Sequence, residues 1–300
     1  MHYYVFGHDL NVTTAISDLK AIKGKRNIRA FALGYTPWEI LKNSYFTLVP
    51  KRNIYKYLDS TISNEGVAIC TDDFWVNFLN RNCPKKVDFI GNENLDYLLN
   101  KRKFYNFLAD LNVPYPDIRE KKISGYVKKS NGSYEGTKRI GHNYEMAKNF
   151  FFQRYVRDYR KFSLVGVYNN GFIFLRQTEK IISSSQMGVG LVHQMHAHVN
   201  KRLKEITQNI FSGLRYSGFF EIEFLVKGKD VFCLEVNPRL PKQHSITNGN
   251  IIRAYLMSFY GISYKPNNEY KFWADEFSIL KFNYLKNFSE CCLPRLYSLR

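Results

Sequence analysis

Apolar positions recur along this chain with two textures, and the change between them divides it. Through the first hundred residues, short apolar runs suited to buried strands are interleaved with stretches of helical spacing. Strands are predicted at 3–6, 28–33, 45–49 and 66–69, and helices at 14–22 and 74–79. Pro50 stops the third strand, and Thr71-Asp72-Asp73 supplies an N-cap cluster for the second helix. Strands alternating with helices predict a small parallel α/β domain. Its first turn, Gly7-His8-Asp9, lacks the Gly-rich dinucleotide fingerprint, which argues against a nicotinamide cofactor there.

A long helix is predicted over 93–111, where Leu95, Leu98, Leu99, Phe104, Phe107, Leu108 and Leu111 keep helical spacing. It ends at Asn112-Val113-Pro114-Tyr115-Pro116, because proline cannot continue a helix. Beyond it the pattern shifts to strands at 124–129, 151–157, 161–168, 171–178, 219–226 and 230–236. Turn signals stand at Asn169-Asn170-Gly171 and Lys227-Gly228-Lys229. Helices are expected near 143–150, 197–214 and 247–260. The second part therefore reads as α+β built on antiparallel hairpins.

Composition narrows the class. With 300 residues, 45% of them hydrophobic and 23% charged, the chain can bury a sizeable core and is too apolar for disorder. No apolar run approaches the roughly 20 residues that span a bilayer. Met1-His2-Tyr3-Tyr4 has no basic region followed by an apolar stretch, so no signal peptide is expected. Five irregularly spaced cysteines, Cys70, Cys83, Cys233, Cys291 and Cys292, fit reduced thiols in a cytoplasmic protein better than a disulfide framework. The adjacent Cys291-Cys292 lacks the second pair that a tetrahedral metal site needs. Net charge is +18, but the basic residues are spread along the whole length. That distribution fits a Lys- and Asn-rich composition, or an acidic substrate such as a nucleotide, better than a nucleic-acid or membrane surface.

Chemistry concentrates in Gly218-Phe219-Phe220-Glu221-Ile222-Glu223-Phe224-Leu225-Val226 and, past a glycine turn, Val231-Phe232-Cys233-Leu234-Glu235-Val236-Asn237-Pro238-Arg239. In a hairpin, side chains alternate between faces. Glu221, Glu223 and Leu225 share one face, and Glu235 and Asn237 share one face of the returning strand, so Glu223 and Glu235 can converge. Two carboxylates and an amide oxygen make the all-oxygen site that Mg²⁺ prefers. Carboxylates set among Phe224, Leu225, Phe232 and Leu234 are costly to bury without a cation. Glu221 has no partner in this pattern and reads as an ordinary surface acid.

Glu-Val-Asn-Pro-Arg after a Glu-bearing strand resembles the ATP-grasp superfamily, most of all its branch with carbamoyl-phosphate synthetase and biotin carboxylase. The order of motifs is similar over about residues 1–261. The resemblance implies an ATP-grasp fold: a Rossmann-like N-terminal α/β domain over 1–95, then an ATP-grasp domain over 96–300 with a small flap lobe at about 117–155. It further implies ATP between the lobes, with two Mg²⁺ (or Mn²⁺) ions on Glu223, Glu235 and Asn237. Lys101 matches the phosphate-facing lysine that opens the helix. Lys128 takes the place of the nucleotide lysine, Lys129 stands where the family usually has proline, and Gly132, Ser133 and Gly136 lie in the phosphate flap. Glycines there let backbone N–H groups close over phosphates. Phe151-Phe152-Gln153-Arg154-Tyr155-Val156 matches the strand linking the lobes, whose backbone meets the adenine edge; Gln153 stands at or beside the residue that meets its amino group, and Tyr155 and Val156 continue the strand. Asp158 is the candidate where the family often has a ribose-holding Glu.

Arg160, Arg176 and Lys180 resemble basic residues of the peptide-ligase branch that approach the γ-phosphate or the acceptor carboxylate, and equally suit a solvated sheet face. Arg239 is placed to stabilise a transferring phosphoryl group. Lys242, Gln243 and His244 follow in a loop similar to that of biotin carboxylase, but Gln243 stands at that enzyme's catalytic Glu, which argues against bicarbonate–biotin chemistry. Lys242 and His244 are then expected to shape an acceptor pocket. His193, His196 and His198 have zinc-like spacing without an evident fourth ligand and read as a loop and helix start. The aromatic tail from Trp273 onward is expected to pack on the core. The resemblance implies an ATP-dependent carboxylate–amine ligase that joins small molecules through an acyl phosphate. Alternatives are carbamoyl-phosphate-type phosphoryl transfer and a catalytically degenerate nucleotide- or nucleic-acid-binding protein. A homodimer is compatible with the family.

Overall fold

The computed structural model describes residues 1–7, 10–23, 27–33, 46–131, 139–140, 143–144, 150–183, 190–263 and 265–274. Apolar runs near the start of the chain form the expected parallel sheet. Its strands are β1 (His2–Phe6), β2 (Ile28–Leu33), β3 (Phe46–Val49), β4 (Gly66–Cys70) and β5 (Val87–Asp88), in the order β3-β2-β1-β4-β5. Helices α1 (Leu10–Lys23), α2 (Ile54–Thr61) and α3 (Asp73–Asn82) cover it. Strand alternation sorts the side chains. Tyr4, Phe6 and Phe31 pack with Leu58 of α2 and Trp75 of α3, whereas Tyr3, Val5 and Ala30 pack with Val12 and Ile16 of α1.

The single helix expected over 93–111 is two, α4 (Leu95–Leu99) and α5 (Lys101–Asp110). Asn100 separates them in an extended conformation, and its side chain accepts the Lys103 N–H at 3.1 Å. Asparagine is a weak helix former and a strong cap. The apolar stripe runs straight through this break, so periodicity does not register it.

A small antiparallel sheet follows, from β6 (Ile118–Arg119), β7 (Tyr126–Ser130) and β10 (Phe150–Arg154) in the order β6-β10-β7. Between them β8 (Arg139–Ile140) pairs with β9 (Asn143–Tyr144). The helix expected at 143–150 is absent at both ends, since 143–144 is β9 and Phe150 opens β10 opposite Ser130. Residues 145–149 lie outside the described residues. Pairing with distant strands has overridden local spacing.

The larger antiparallel sheet runs β15-β14-β11-β12-β13-β16. These strands are β11 (Arg160–Asn169), β12 (Phe172–Ser183), β13 (Gly190–His196), β14 (Ser217–Lys227), β15 (Asp230–Asn237) and β16 (Phe272–Ala274). One face of it, with Phe162, Leu164, Phe220, Ile222 and Phe224, is buried under Phe104 and Leu108 of α5 and Ile210 and Phe211 of α6 (Lys201–Leu214). Gly166 of β11 is required there, because a Cβ would stand 2.2 Å from the Phe174 carbonyl oxygen. A 3-10 turn (Lys242–Thr247) and α7 (Asn250–Tyr260) then lead back to the parallel sheet, where Ile251 and Ile252 join Tyr3 and Val5. Residues 193–196, expected as a loop, are β13, held by β12 on one side and β16 on the other. Of the tail, Phe272–Ala274 forms this last strand, and 275–300, with Cys291 and Cys292, lies outside the described residues. No described helix is long and apolar enough to cross a membrane.

Candidate active site

The opposite face of the six-stranded sheet carries the polar residues, and strand register explains why. Glu223 lies directly opposite Glu235, and Glu221 opposite Asn237. Cross-strand partners share a face, so the hairpin converges as its alternation predicted. A bulge follows: Glu223 pairs with Glu235 but Phe224 with Cys233, leaving Leu234 as the extra residue. Leu225 therefore faces Phe232, which joins the same face. The Leu234 carbonyl accepts a hydrogen bond from Tyr105 of α5 at 2.7 Å, and Tyr105 accepts one from Gln153 at 2.7 Å. That chain fastens the inter-lobe strand to the residue beside Glu235.

Neighbouring strands add cations. Lys161 and Ser163 of β11 lie across from Leu225 and Glu223, and Arg176 of β12 lies across from Val165. Lys161 Nζ is 2.5 Å from Glu223, Lys180 Nζ is 3.7 Å from it, and Lys101 Nζ is 3.1 Å from Glu235. Burial pushes the Glu223 carboxyl up, but Lys161 and Lys180 outweigh it and hold the group well below the usual carboxylate range. Lys101 lowers the Glu235 carboxyl against the opposing effect of burial. Burial lowers the Lys101 ammonium, yet Glu235 leaves it raised overall. Burial also dominates at Lys180, whose ammonium is lowered despite the attraction of Glu223.

Arg239 follows the hairpin with its Nε 3.4 Å from Asp73, the first residue of α3. The sequence suggests Asp73 only as part of a capping cluster. Asp72 is the cap, accepting the Trp75 N–H at 3.0 Å, while burial raises the Asp73 carboxyl in spite of Arg239.

The remaining expected site residues divide. Tyr155 and Val156 line a cleft of about 340 Å³ together with Tyr159 and Phe232, at the end of the acid-bearing face. Asp158 lies in a neighbouring cleft of about 390 Å³ with Arg160, apart from Tyr155 and Val156. Gln153 is buried, with its amide nitrogen engaged by Tyr105. Lys128 places its ammonium 3.5 Å over the Phe150 ring, and the next lysine, Lys129, is the one whose charge reaches Glu235. Gly132, Ser133 and Gly136 lie outside the described residues. Arg176 is engaged by Glu269 at 2.6 Å. Lys242 is exposed. His244, expected in an acceptor pocket, is fully buried 3.2 Å from Asp18 of α1. Alternation along β13 puts His193 and His196 on opposite faces: His193 is buried opposite Lys180, and His196 meets Glu179 at 3.0 Å.

Two residues of this site, Lys161 and Tyr105, escape a reading of the sequence, and Glu221, expected as an ordinary surface acid, is buried. Lys161 and Tyr105 carry no motif signal. Glu221 and Gln243 are buried together, with Gln243 Nε2 donating to Glu221 at 2.7 Å. Alternation places Glu221 on the face of Glu223, which is the available clue.

The donor set suits a hard divalent cation. Two opposed carboxylates are joined by Asn237, whose amide nitrogen donates to Glu221 at 3.2 Å and so turns its oxygen elsewhere. Oxygen donors of this kind fit Mg²⁺ or Mn²⁺ rather than zinc. Among the described residues no group of three His, Cys, Asp or Glu is gathered as metal ligands.

Residues 98–242 match the model of the family described as the ATP-grasp domain. No curated protein sequence matches the chain. Among solved structures, a protein from Archaeoglobus fulgidus assigned to the ATP-grasp superfamily superposes with a TM-score of 0.56 at 15% identity, covering 88% of this chain and 86% of the other. N5-carboxyaminoimidazole ribonucleotide synthetase from Thermus thermophilus gives 0.60 at 14% identity, covering 90% and 81%. Phosphoribosylglycinamide synthetase from Anaerococcus prevotii gives 0.60 at 13%, covering 89% and 78%. At these identities the likeness is one of fold, and the fold is ATP-grasp.

Proposed function

We propose, for a chain whose residues 98–242 form an ATP-grasp domain, that it is an ATP-dependent ligase joining a small-molecule carboxylate to an amine. The reading rests on one observation above others: the opposed Glu223–Glu235 pair, ionised and flanked by Lys101, Lys161 and Lys180 on a single sheet face. A carboxylate oxygen attacks the γ-phosphorus of ATP and ADP leaves. The amine then attacks the acyl carbon, phosphate departs with the C–O electron pair, and the amine gives up a proton. Glu223, Glu235 and Asn237 would hold a divalent cation, which would neutralise phosphate charge.

The protein's part is mainly positioning and charge. Lys101 stands at the acid pair, where its ammonium can meet phosphate oxygens. Arg239, held by Asp73, offers a guanidinium to the transferring group. The cleft between Tyr155, Val156 and Phe232 takes the adenine end. Lys180 and Arg176, on the acid-bearing face, are the candidates to receive the acceptor carboxylate.

An ADP-release assay with Mg²⁺ and pooled carboxylate and amine substrates tests this reading. Glu235→Gln is expected to lower turnover by at least a hundred-fold while urea unfolding stays cooperative. Turnover equal to wild type would remove the metal assignment.

A further inference from the structure

We propose that Glu221 is a positioning residue, one that fixes which end of the Asn237 side chain faces the metal. The inference rests on the metal reading above and adds to it a residue outside the ligand set. Glu221 is 3% exposed and lies directly across from Asn237, one step along the sheet face from the Glu223–Glu235 pair. Both its oxygens are engaged by amides: Oε2 accepts from Asn237 Nδ2 at 3.2 Å, and Oε1 accepts from Gln243 Nε2 at 2.7 Å.

The two ends of a carboxamide differ little in size, but only the oxygen coordinates a hard cation. An asparagine without an orienting neighbour can present either end. An ionised carboxylate accepts hydrogen bonds and donates none. Against Glu221, an inverted Asn237 would set oxygen against oxygen in a buried site. The nitrogen is therefore turned to Glu221, and Oδ1 is turned away from it. Gln243 is sorted by the same carboxylate, and its Oε1 is left buried without a hydrogen-bond partner. Two amides whose oxygens all point away from one acid are the mark of an orienting group, whereas a surface acid would face water.

The test is a double-mutant cycle read by Mn²⁺ binding. Mn²⁺ affinity is measured by electron paramagnetic resonance in the presence of the non-hydrolysable analogue AMP-PNP, so that no turnover is needed. Glu221→Gln introduces a donor that no longer sorts the two ends of Asn237. Asn237→Ala leaves no amide to orient. The loss caused by Glu221→Gln is expected to be about ten-fold larger with Asn237 than with Ala at that position, about 1.4 kcal/mol of coupling. Equal losses in the two backgrounds would reduce Glu221 to a general negative charge and overturn the proposal, as would no loss in either. Wild type and Glu235→Gln serve as the control on the underlying reading: if Glu235→Gln binds Mn²⁺ as wild type does, the metal assignment fails first. Should Glu221→Gln not fold, side-chain amide exchange in wild type decides. Asn237 NH₂ protons strongly protected by the buried carboxylate support the proposal, and exchange at the free rate sinks it.

Discussion

His193 lies opposite Lys180 and is 2% exposed. Burial, and then the Lys180 charge, pushes its imidazole down to about 3 from an ordinary 6.5. Between those values the unfolded chain binds a proton that the folded chain refuses, so stability is present above 6.5 and is lost as pH falls. Glu223 and Glu235 have depressed carboxyls, so their contributions fade only below the ordinary 4.5. From pH 7 to 5, His193 is therefore expected to cost about 2 kcal/mol of unfolding free energy. His193→Asn should flatten that slope by the same amount in urea titrations, and an unchanged slope would contradict the assignment. At this scale the sequence is legible wherever partners are close along the chain. The Glu223, Glu235 and Asn237 set follows from alternation across one turn. Glu221 does not, because its partner Gln243 comes from a turn 22 residues away and no local period links them.

Elements are legible where one face is apolar and the partner strand is adjacent. The β14–β15 hairpin appears with the expected register up to Glu223, after which Leu234 bulges. The bulge is hidden from the sequence because it is held from outside the hairpin, by Tyr105. β13 is hidden for a similar reason, since its neighbour β16 lies some eighty residues further along. The split of the predicted long helix has a direct consequence. Asn100 caps α5, and the next residue is Lys101, whose ammonium meets Glu235 at 3.1 Å. Asn100→Ala is expected to cost about 1 kcal/mol in urea unfolding. Because the first turn would fray, AMP-PNP binding should weaken as well, and a loss of stability with unchanged nucleotide affinity would separate the cap from the site.

Over the whole molecule, the segment after the hairpin is fastened at three points by the parallel sheet and the helices that cover it. Arg239 meets Asp73 at 3.4 Å, the Leu240 N–H donates to the Cys70 carbonyl at 2.9 Å, and His244 meets Asp18 at 3.2 Å. The first and last pair bury charged or polar groups, with exposures of 11% and 10% at Arg239 and Asp73 and 0% at both His244 and Asp18. Removing one partner of a buried pair strands the other. Asp73→Asn is expected to cost about 3 kcal/mol, with Trp75 fluorescence and far-ultraviolet circular dichroism still reporting one transition; two separated transitions would show that the units do not support each other. The three ties also bear on domain exchange. A chimera that replaced residues 1–95 with a foreign domain would have to carry acids at both the Asp18 and Asp73 positions. The helices that fasten Arg239 and His244 and the sheet that bears the acid pair would therefore have to be exchanged together.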